Sequence, residues 1–231
     1  MTYVINLKHR VDRKEEMLEQ LSKSNIDNYT IFEAIKPSLD DLNKWNINFL
    51  YPTPLWLRNN AELDMNKYKI GALGCLKSHL EILKDAVEKG YEYILILEDD
   101  TEFIFNMEYK ELCSRIKPQI EYILNKYKNF GMLYFCGNHN NGVVSKVTGN
   151  LSLVKGTLTT GSYIISKKAM IKAISELNGF DREIDVYYSS FLQNDMDCFC
   201  FTPHISRQRI SHSDILNKTT VYPLQSTIIY N

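Results

Sequence analysis

The sequence has no run approaching the roughly 20 apolar residues that span a bilayer, and its longest candidate, residues 93–97, is strand-sized. It has no Cys-x-x-Cys pair. Its five cysteines, at 75, 113, 136, 198 and 200, are odd in number and scattered, which suggests neither a disulfide framework nor a zinc ribbon. Reduced thiols in a cytoplasmic protein are the expectation. Neither sign of charge dominates. A formal net charge of -1 supplies no global field for nucleic acid or an anionic membrane, so any anion binding must be local. Internal repeats and low-complexity tracts are missing as well. The opening MTYVINLKHR sets an apolar strand pattern ahead of its bases, the reverse of a secretory signal, so the mature chain is expected to begin inside the fold.

What is present is ordinary globular material. With 231 residues, 44% apolar and 24% charged, the chain suits one domain with a substantial core. Strands are expected at residues 3–7, 29–34, 93–97, 132–136, 157–166 and 198–202. Helices are expected at 11–22, 71–87, 106–128 with a possible interruption at Pro118, 167–177 and 181–192. Residues 137–149, rich in Asn and Gly and including His139, read as a loop. Cys198 and Cys200 read as strand packing. Strands alternating with helices predict an α/β fold with a largely parallel sheet and helices on both faces. Residues 37–66 lose periodicity and carry Trp45, Phe49, Tyr51 and Trp56, an irregular aromatic insertion suited to lining a ligand site.

The chemical signal is YILILEDDTEF, residues 93–103, in which a buried strand runs into Glu98, Asp99 and Asp100. Ligands of open α/β sheets sit beyond the carboxyl ends of strands. If the extended geometry persists, Glu98 and Asp100 share one face and Asp99 turns away. At roughly 4 Å, two such carboxylates repel by about 4 kcal/mol, and a bound divalent cation reverses that sign. Oxygen ligands favour Mg²⁺ or Mn²⁺. The bland alternative is a solvated turn.

Other segments could meet that point. KIGALGCLKSHL, residues 69–80, opens a helix with two glycines, and His79 lies on the buried flank of its apolar stripe, readable also as a core histidine. Asn6, Arg10 and Arg13 follow the first strand, where arginine forks suit phosphates. RQRISHSDI, residues 207–215, groups His212 with Arg207, Arg209 and Asp214, and His212 is a candidate third metal ligand. His204 has a weaker case.

Together these pieces resemble glycosyltransferase family 25. YVINLKHRVDR is similar to the family's opening "INL…R", GALGCLKSHLEIL to its "GxxGCxxSH" segment, YILILEDD to its metal motif, TTGSYIIS with EIDVYYS to its "GTxaYxIS" strand and "D" element, and QRISHSDI to its ending. The resemblance implies a GT-A fold, a Rossmann-like mostly parallel sheet in a single domain over 1–231. It also implies an inverting, metal-dependent transfer of a sugar, commonly galactose from UDP-galactose, to a hydroxyl of a glycan, glycolipid or glycoprotein, including hydroxylysine-type acceptors. Carried over by position, Asp100 and Glu98 are the metal acids, with Glu98 nearer the ribose or a metal-bound water. Asn6, Leu7, Arg10, Arg13 and Asp99 fall on the nucleotide side. Gly74, Ser78 and His79 support the donor pocket, as does Lys77, which departs from the family's usual apolar residue. Gly161, Tyr163 and Trp56 fall on the acceptor side. Asp185 is the expected base, with Asp181, Glu183 and Asp195 in reserve. The rival readings are a metal-dependent nucleotidyltransferase and a non-catalytic nucleotide-sugar or carbohydrate-binding module.

Overall fold

The computed structural model describes residues 1–45, 64–104, 109–139, 142–215 and 218–220. Most of the expected aromatic insertion, Trp56 included, lies outside the described residues.

The chain begins β1 (Thr2–Asn6), α1 (Val11–Lys23), β2 (Tyr29–Glu33), α2 (Leu39–Trp45), α3 (Met65–Glu88) and β3 (Tyr93–Glu98). It continues through β4 (Thr101–Phe103), α4 (Tyr109–Lys126), β5 (Phe130–Tyr134), β6 (Val143–Lys146), β7 (Leu151–Lys155), β8 (Ser162–Ser166) and α5 (Lys167–Leu177). A short helix α6 (Ile184–Tyr187) runs into a π-helical turn at Tyr188–Leu192, followed by β9 (Asp197–Phe201), β10 (Ser206–Gln208), β11 (Ser211–Ser213) and β12 (Lys218–Thr220).

Eight strands form one sheet in the order β2-β1-β3-β8-β5-β9-β7-β6. β1 pairs in parallel with β2 and β3, and β5 with β9, while β8 and β7 run against their neighbours. The fold is therefore α/β with a mostly parallel central sheet flanked by helices, as the alternation of elements predicts.

Side-chain alternation along the strands builds two apolar layers. Ile94, Ile96, Met132, Tyr134, Tyr163 and Ile165 face one way, against the α3 stripe Leu76, Leu80, Leu83 and the α5 residues Ala169, Met170 and Ala173. Val4, Leu97, Leu133, Phe135 and Ile164 face the other, against Met17 and Leu21 of α1 and Ile123 of α4. Asp64 caps α3 by accepting from the backbone N–H groups of Asn66 and Lys67, which starts the helix ahead of its glycines. Gly90, at φ 76°, lets the chain leave α3 and turn into β3.

Several expectations are corrected. β6, inside the 137–149 stretch expected as a loop, is a strand that forms a hairpin with β7, because its run is short and the surrounding Asn and Gly mask its alternation. The strand expected from residue 157 begins at Ser162. Thr159 has φ 86°, incompatible with an extended strand. α4 passes through Pro118 without interruption, held on both sides of the proline by Ile116, Ile120 and Ile123 packing on the second layer. The expected helix at 181–192 is one short helix and a π turn.

Candidate active site

The site lies at the carboxyl end of β3. The strand stops at Glu98, and Asp99 and Asp100 form a turn before β4, so the extended geometry assumed for the three acids does not persist. Asp99 points toward α1. It accepts from Asn6 Nδ2 at 2.8 Å and Arg13 Nη1 at 2.7 Å. Burial outweighs the pull of Arg13 and holds its carboxyl above the usual range.

Asp100 is 6% exposed. Its nearest cation is Arg13, 3.5 Å from Oδ2. Burial, then the charge of Glu98, pushes its carboxyl up to about 7. Glu98 has a more polar setting. Thr160 Oγ1 donates to its Oε1 at 2.6 Å, and His79 Nε2 stands 3.5 Å away. Burial pushes this carboxyl up, but His79 and Thr160 together hold it below its ordinary value.

The helix segment with two glycines works through its backbone. A Cβ on Gly74 would lie 2.6 Å from the Ile35 carbonyl oxygen, so only glycine permits the chain after β2 to approach α3 this closely. Ser78 locks the same contact, accepting from Ile35 N–H at 2.8 Å and donating to the Gly74 carbonyl at 2.7 Å. His79 is fully buried, with Nδ1 2.7 Å from the Tyr163 hydroxyl. Lys77 Nζ lies 5.1 Å above the Trp45 ring, a cation–π contact on the flank of α3.

Asp185 enters from α6. Burial and the neighbouring Glu183 push its carboxyl up to about 6, against backbone N–H donors including Thr159 N–H at 3.4 Å. It keeps some solvent contact although protein surrounds it, and Glu98 is among the charges that raise it. Thr159 is a β-branched residue in the left-handed region, a strain of roughly 1–3 kcal/mol tolerated at the point that holds Asp185.

The structure brings together Asn6, Arg13, Glu98, Asp99, Asp100 and His79, with Asp185 close enough for the charge of Glu98 to raise its carboxyl and Gly161 beside Glu98. The Gly161 carbonyl accepts from Glu98 N–H at 2.8 Å and Thr101 Oγ1 at 2.6 Å. Other expected residues stand differently. His212 exposes its ring, and its backbone carbonyl, not its imidazole, accepts from Arg13 at 2.8 Å. Arg10 is engaged by Asp12 and Asp214, and the Leu7 carbonyl accepts from Arg10 N–H. Tyr163, expected on the acceptor side, is fully buried with its hydroxyl between His79 and Tyr188.

Arg209 was missed as a site residue. Its N–H donates to the Asp100 carbonyl at 2.8 Å, its Nη2 to the Asp99 carbonyl at 2.5 Å, and its Nη1 pairs with Glu16 at 2.6 Å. It lies in the C-terminal motif RQRISHSDI, two residues after Arg207 and three before His212. Among the described residues, the buried side-chain atoms without a hydrogen-bond partner are Arg13 Nε, His79 Nε2, Asp100 Oδ1 and Arg209 Nε. All four belong to residues around the acid turn. Buried polar groups are ordinarily satisfied, which makes this clustering the feature that singles out the turn as the candidate site.

The family model described as glycosyltransferase family 25 (LPS biosynthesis protein) matches residues 1–188. The chain belongs to glycosyltransferase family 25. This membership is what the sequence motifs led us to expect. Among similar proteins, procollagen galactosyltransferase 2 of Mus musculus is 32% identical over 44% of this chain and 16% of its own length. The procollagen lysyl hydroxylase and glycosyltransferase of Acanthamoeba polyphaga mimivirus is 35% identical over 46% of this chain and 12% of its own. The match thus spans less than a fifth of either relative. A solved glycosyltransferase involved in glycosylation of the major capsid of PBCV-1 aligns with 84% of this chain and 76% of its own at 15% identity and a TM-score of 0.42. No helix among the described residues of this family member is long and apolar enough to cross a membrane.

Proposed function

We propose that the protein transfers a hexose, galactose from UDP-galactose being the first candidate, to a hydroxyl of a glycan or hydroxylysine-type acceptor with inversion at the anomeric carbon. The observation that carries this reading is the set of unpartnered buried atoms on Arg13, His79, Asp100 and Arg209. Arginine donors beside a carboxylate suit a diphosphate accompanied by a cation.

Asp100, with Glu98, fits a hard divalent ion such as Mn²⁺ or Mg²⁺: the donors are carboxylate oxygens, one of them buried and unpartnered. When bound, that ion supplies positive charge that offsets the charge developing on the departing diphosphate. Arg13 and Asn6 fix Asp99, and this keeps the turn that presents Asp100 in place. Asp185 accepts the proton of the acceptor hydroxyl as the new C1–O bond forms on the face opposite the breaking C1–O bond to UDP. A carboxyl raised to about 6 remains ionised at neutral pH yet is basic enough for that role.

The test is calorimetric titration of UDP and UDP-sugars with Mn²⁺ and with chelator. Metal-dependent UDP binding that Asp100→Ala abolishes supports the reading, and binding unchanged by that substitution defeats it. Release of UDP without pyrophosphate on turnover separates it from a nucleotidyltransferase, and UDP-sugar binding without turnover would leave a binding module instead.

A further inference from the structure

β5 and β9 are parallel neighbours, so the segments that leave their carboxyl ends run side by side. One carries His139 and the other His204. Backbone bonds fasten both: Ile205 N–H donates to the Phe135 carbonyl at 3.0 Å, and Asn138 bridges to Leu158 in both directions. The two imidazoles meet through Nε2 atoms 3.2 Å apart, and the Sγ of Cys200, near the end of β9, completes a group whose ligand atoms all lie within 4.8 Å of one another. The sheet order places this group three strands along from Glu98.

We propose that His139, His204 and Cys200 bind a divalent transition metal ion of the zinc class, at a site separate from the carboxylate centre. Two nitrogens bound to tetrahedral zinc at about 2.0 Å stand about 3.3 Å apart, which the histidine pair already matches. The donor set of two imidazoles and a thiol is soft to borderline, suiting zinc and not magnesium. His139 is oriented for the task. Its Nδ1 is taken by Thr157 Oγ1 at 2.8 Å, leaving Nε2 directed at His204, the outer-shell arrangement common to metal-bound histidines. Gly137 makes room, since a Cβ there would approach His139 Cε1 to 2.9 Å and Thr157 Cγ2 to 2.6 Å. Burial keeps both imidazoles neutral, His139 down to about 4, so they offer lone pairs at neutral pH. Binding displaces the Cys200 thiol proton to solvent and leaves a thiolate on the ion. The half-buried imidazoles provide the approach to a thiol that is itself fully enclosed. The ion would clamp the two post-strand segments together beside the 157–160 segment that serves Thr160 and Asp185.

The probe is Co²⁺ titrated into the metal-free full chain, read by absorption. Binding of one equivalent with a thiolate-to-cobalt charge-transfer band and tetrahedral d–d intensity is expected, with Zn²⁺ displacing it. Cys200→Ser should lose the charge-transfer band, and His204→Gln and His139→Asn should weaken binding at least about tenfold. Cys198→Ser and Asp100→Asn should leave the band intact, and circular dichroism confirms that each variant is folded. Lack of a thiolate band in the wild-type chain, or a band that survives Cys200→Ser, overturns the proposal and leaves a hydrogen-bonded histidine pair over a packed thiol.

Discussion

Arg13 donates to Asp99 at 2.7 Å, tying helix α1 to the turn behind β3 across 86 residues of chain. The same guanidinium donates to Ser211 Oγ at 2.7 Å and to the His212 carbonyl at 2.8 Å, so one planar fork joins the first helix, the acid turn and the C-terminal hairpin. Removing it strands Asp99 and Asp100 without their nearest cation. Arg13→Gln is expected to destabilise the chain by about 3–5 kcal/mol, the usual cost of leaving one half of a buried ion pair. Arg13→Lys should recover only part of that, because an ammonium cannot reproduce the fork. Urea denaturation at neutral pH measures both.

A pH dependence follows from Asp100. The unfolded chain releases this proton near the ordinary aspartate value, whereas the folded chain holds it up to about 7. The unfolded state therefore binds fewer protons across that interval, and the stability this group contributes is present at low pH and lost as pH rises toward 7. Asp185, raised to about 6, acts with the same sign. In chelator, Asp100→Asn should melt above wild type at about pH 8, and the gap should close as pH falls through about 5. Mn²⁺ affinity of the wild type should move oppositely, rising about tenfold between about pH 6 and about pH 8 as the proton leaves. A pH-independent difference in melting temperature between the two proteins would show that Asp100 does not titrate in this range.

The acid turn was legible because a buried strand running into three acids is an unusual local pattern, whereas the glycines expected to open a helix toward an anion lie inside one that starts at Met65, where Gly74 meets the Ile35 carbonyl instead. How these acids divide was not. Strict alternation pairs Glu98 with Asp100, but the strand ends at Glu98, and a turn is set by long-range partners such as Arg13, Asn6 and Arg209 that period-2 reasoning does not contain. Tyr163 followed a motif to the acceptor side, yet its hydroxyl belongs to a buried network with His79 and Tyr188. Cys198 and Cys200 read as strand packing, and both are buried in the core, but nothing in the spacing shows that β5 and β9 pair and bring His139 and His204 close to Cys200.

Gly74 and Ser78 give a prediction about packing. Gly74→Ala would place a methyl 2.6 Å from the Ile35 carbonyl oxygen and 3.0 Å from Pro37 Cδ, forcing backbone to move, with an expected loss of roughly 1–3 kcal/mol. Ser78→Ala leaves the Ile35 N–H without its acceptor and should cost about 1–3 kcal/mol. Both act on one contact, so the double variant should lose less than the sum. Thermal melts of the four proteins in a double-mutant cycle measure the coupling, and strict additivity would show that the two residues hold different things.

Asp185 offers the sharpest separation of binding from chemistry. It is held by Thr159 N–H on a strained backbone, and the charge of Glu98 is among the causes that raise its carboxyl, so it lies within electrostatic reach of that acid from a different element. As the base, it must be ionised to work, and activity at saturating substrate should fall as pH drops through about 6. Asp185→Asn keeps the shape and the backbone hydrogen bond but cannot take the proton. Turnover should fall about 10²–10⁴-fold with UDP affinity nearly unchanged, and the acid limb of the pH profile should vanish from the residual activity. Should the same substitution instead weaken UDP binding in proportion to turnover, Asp185 contacts the donor, and the proton must go to one of the reserve carboxylates Asp181, Glu183 and Asp195.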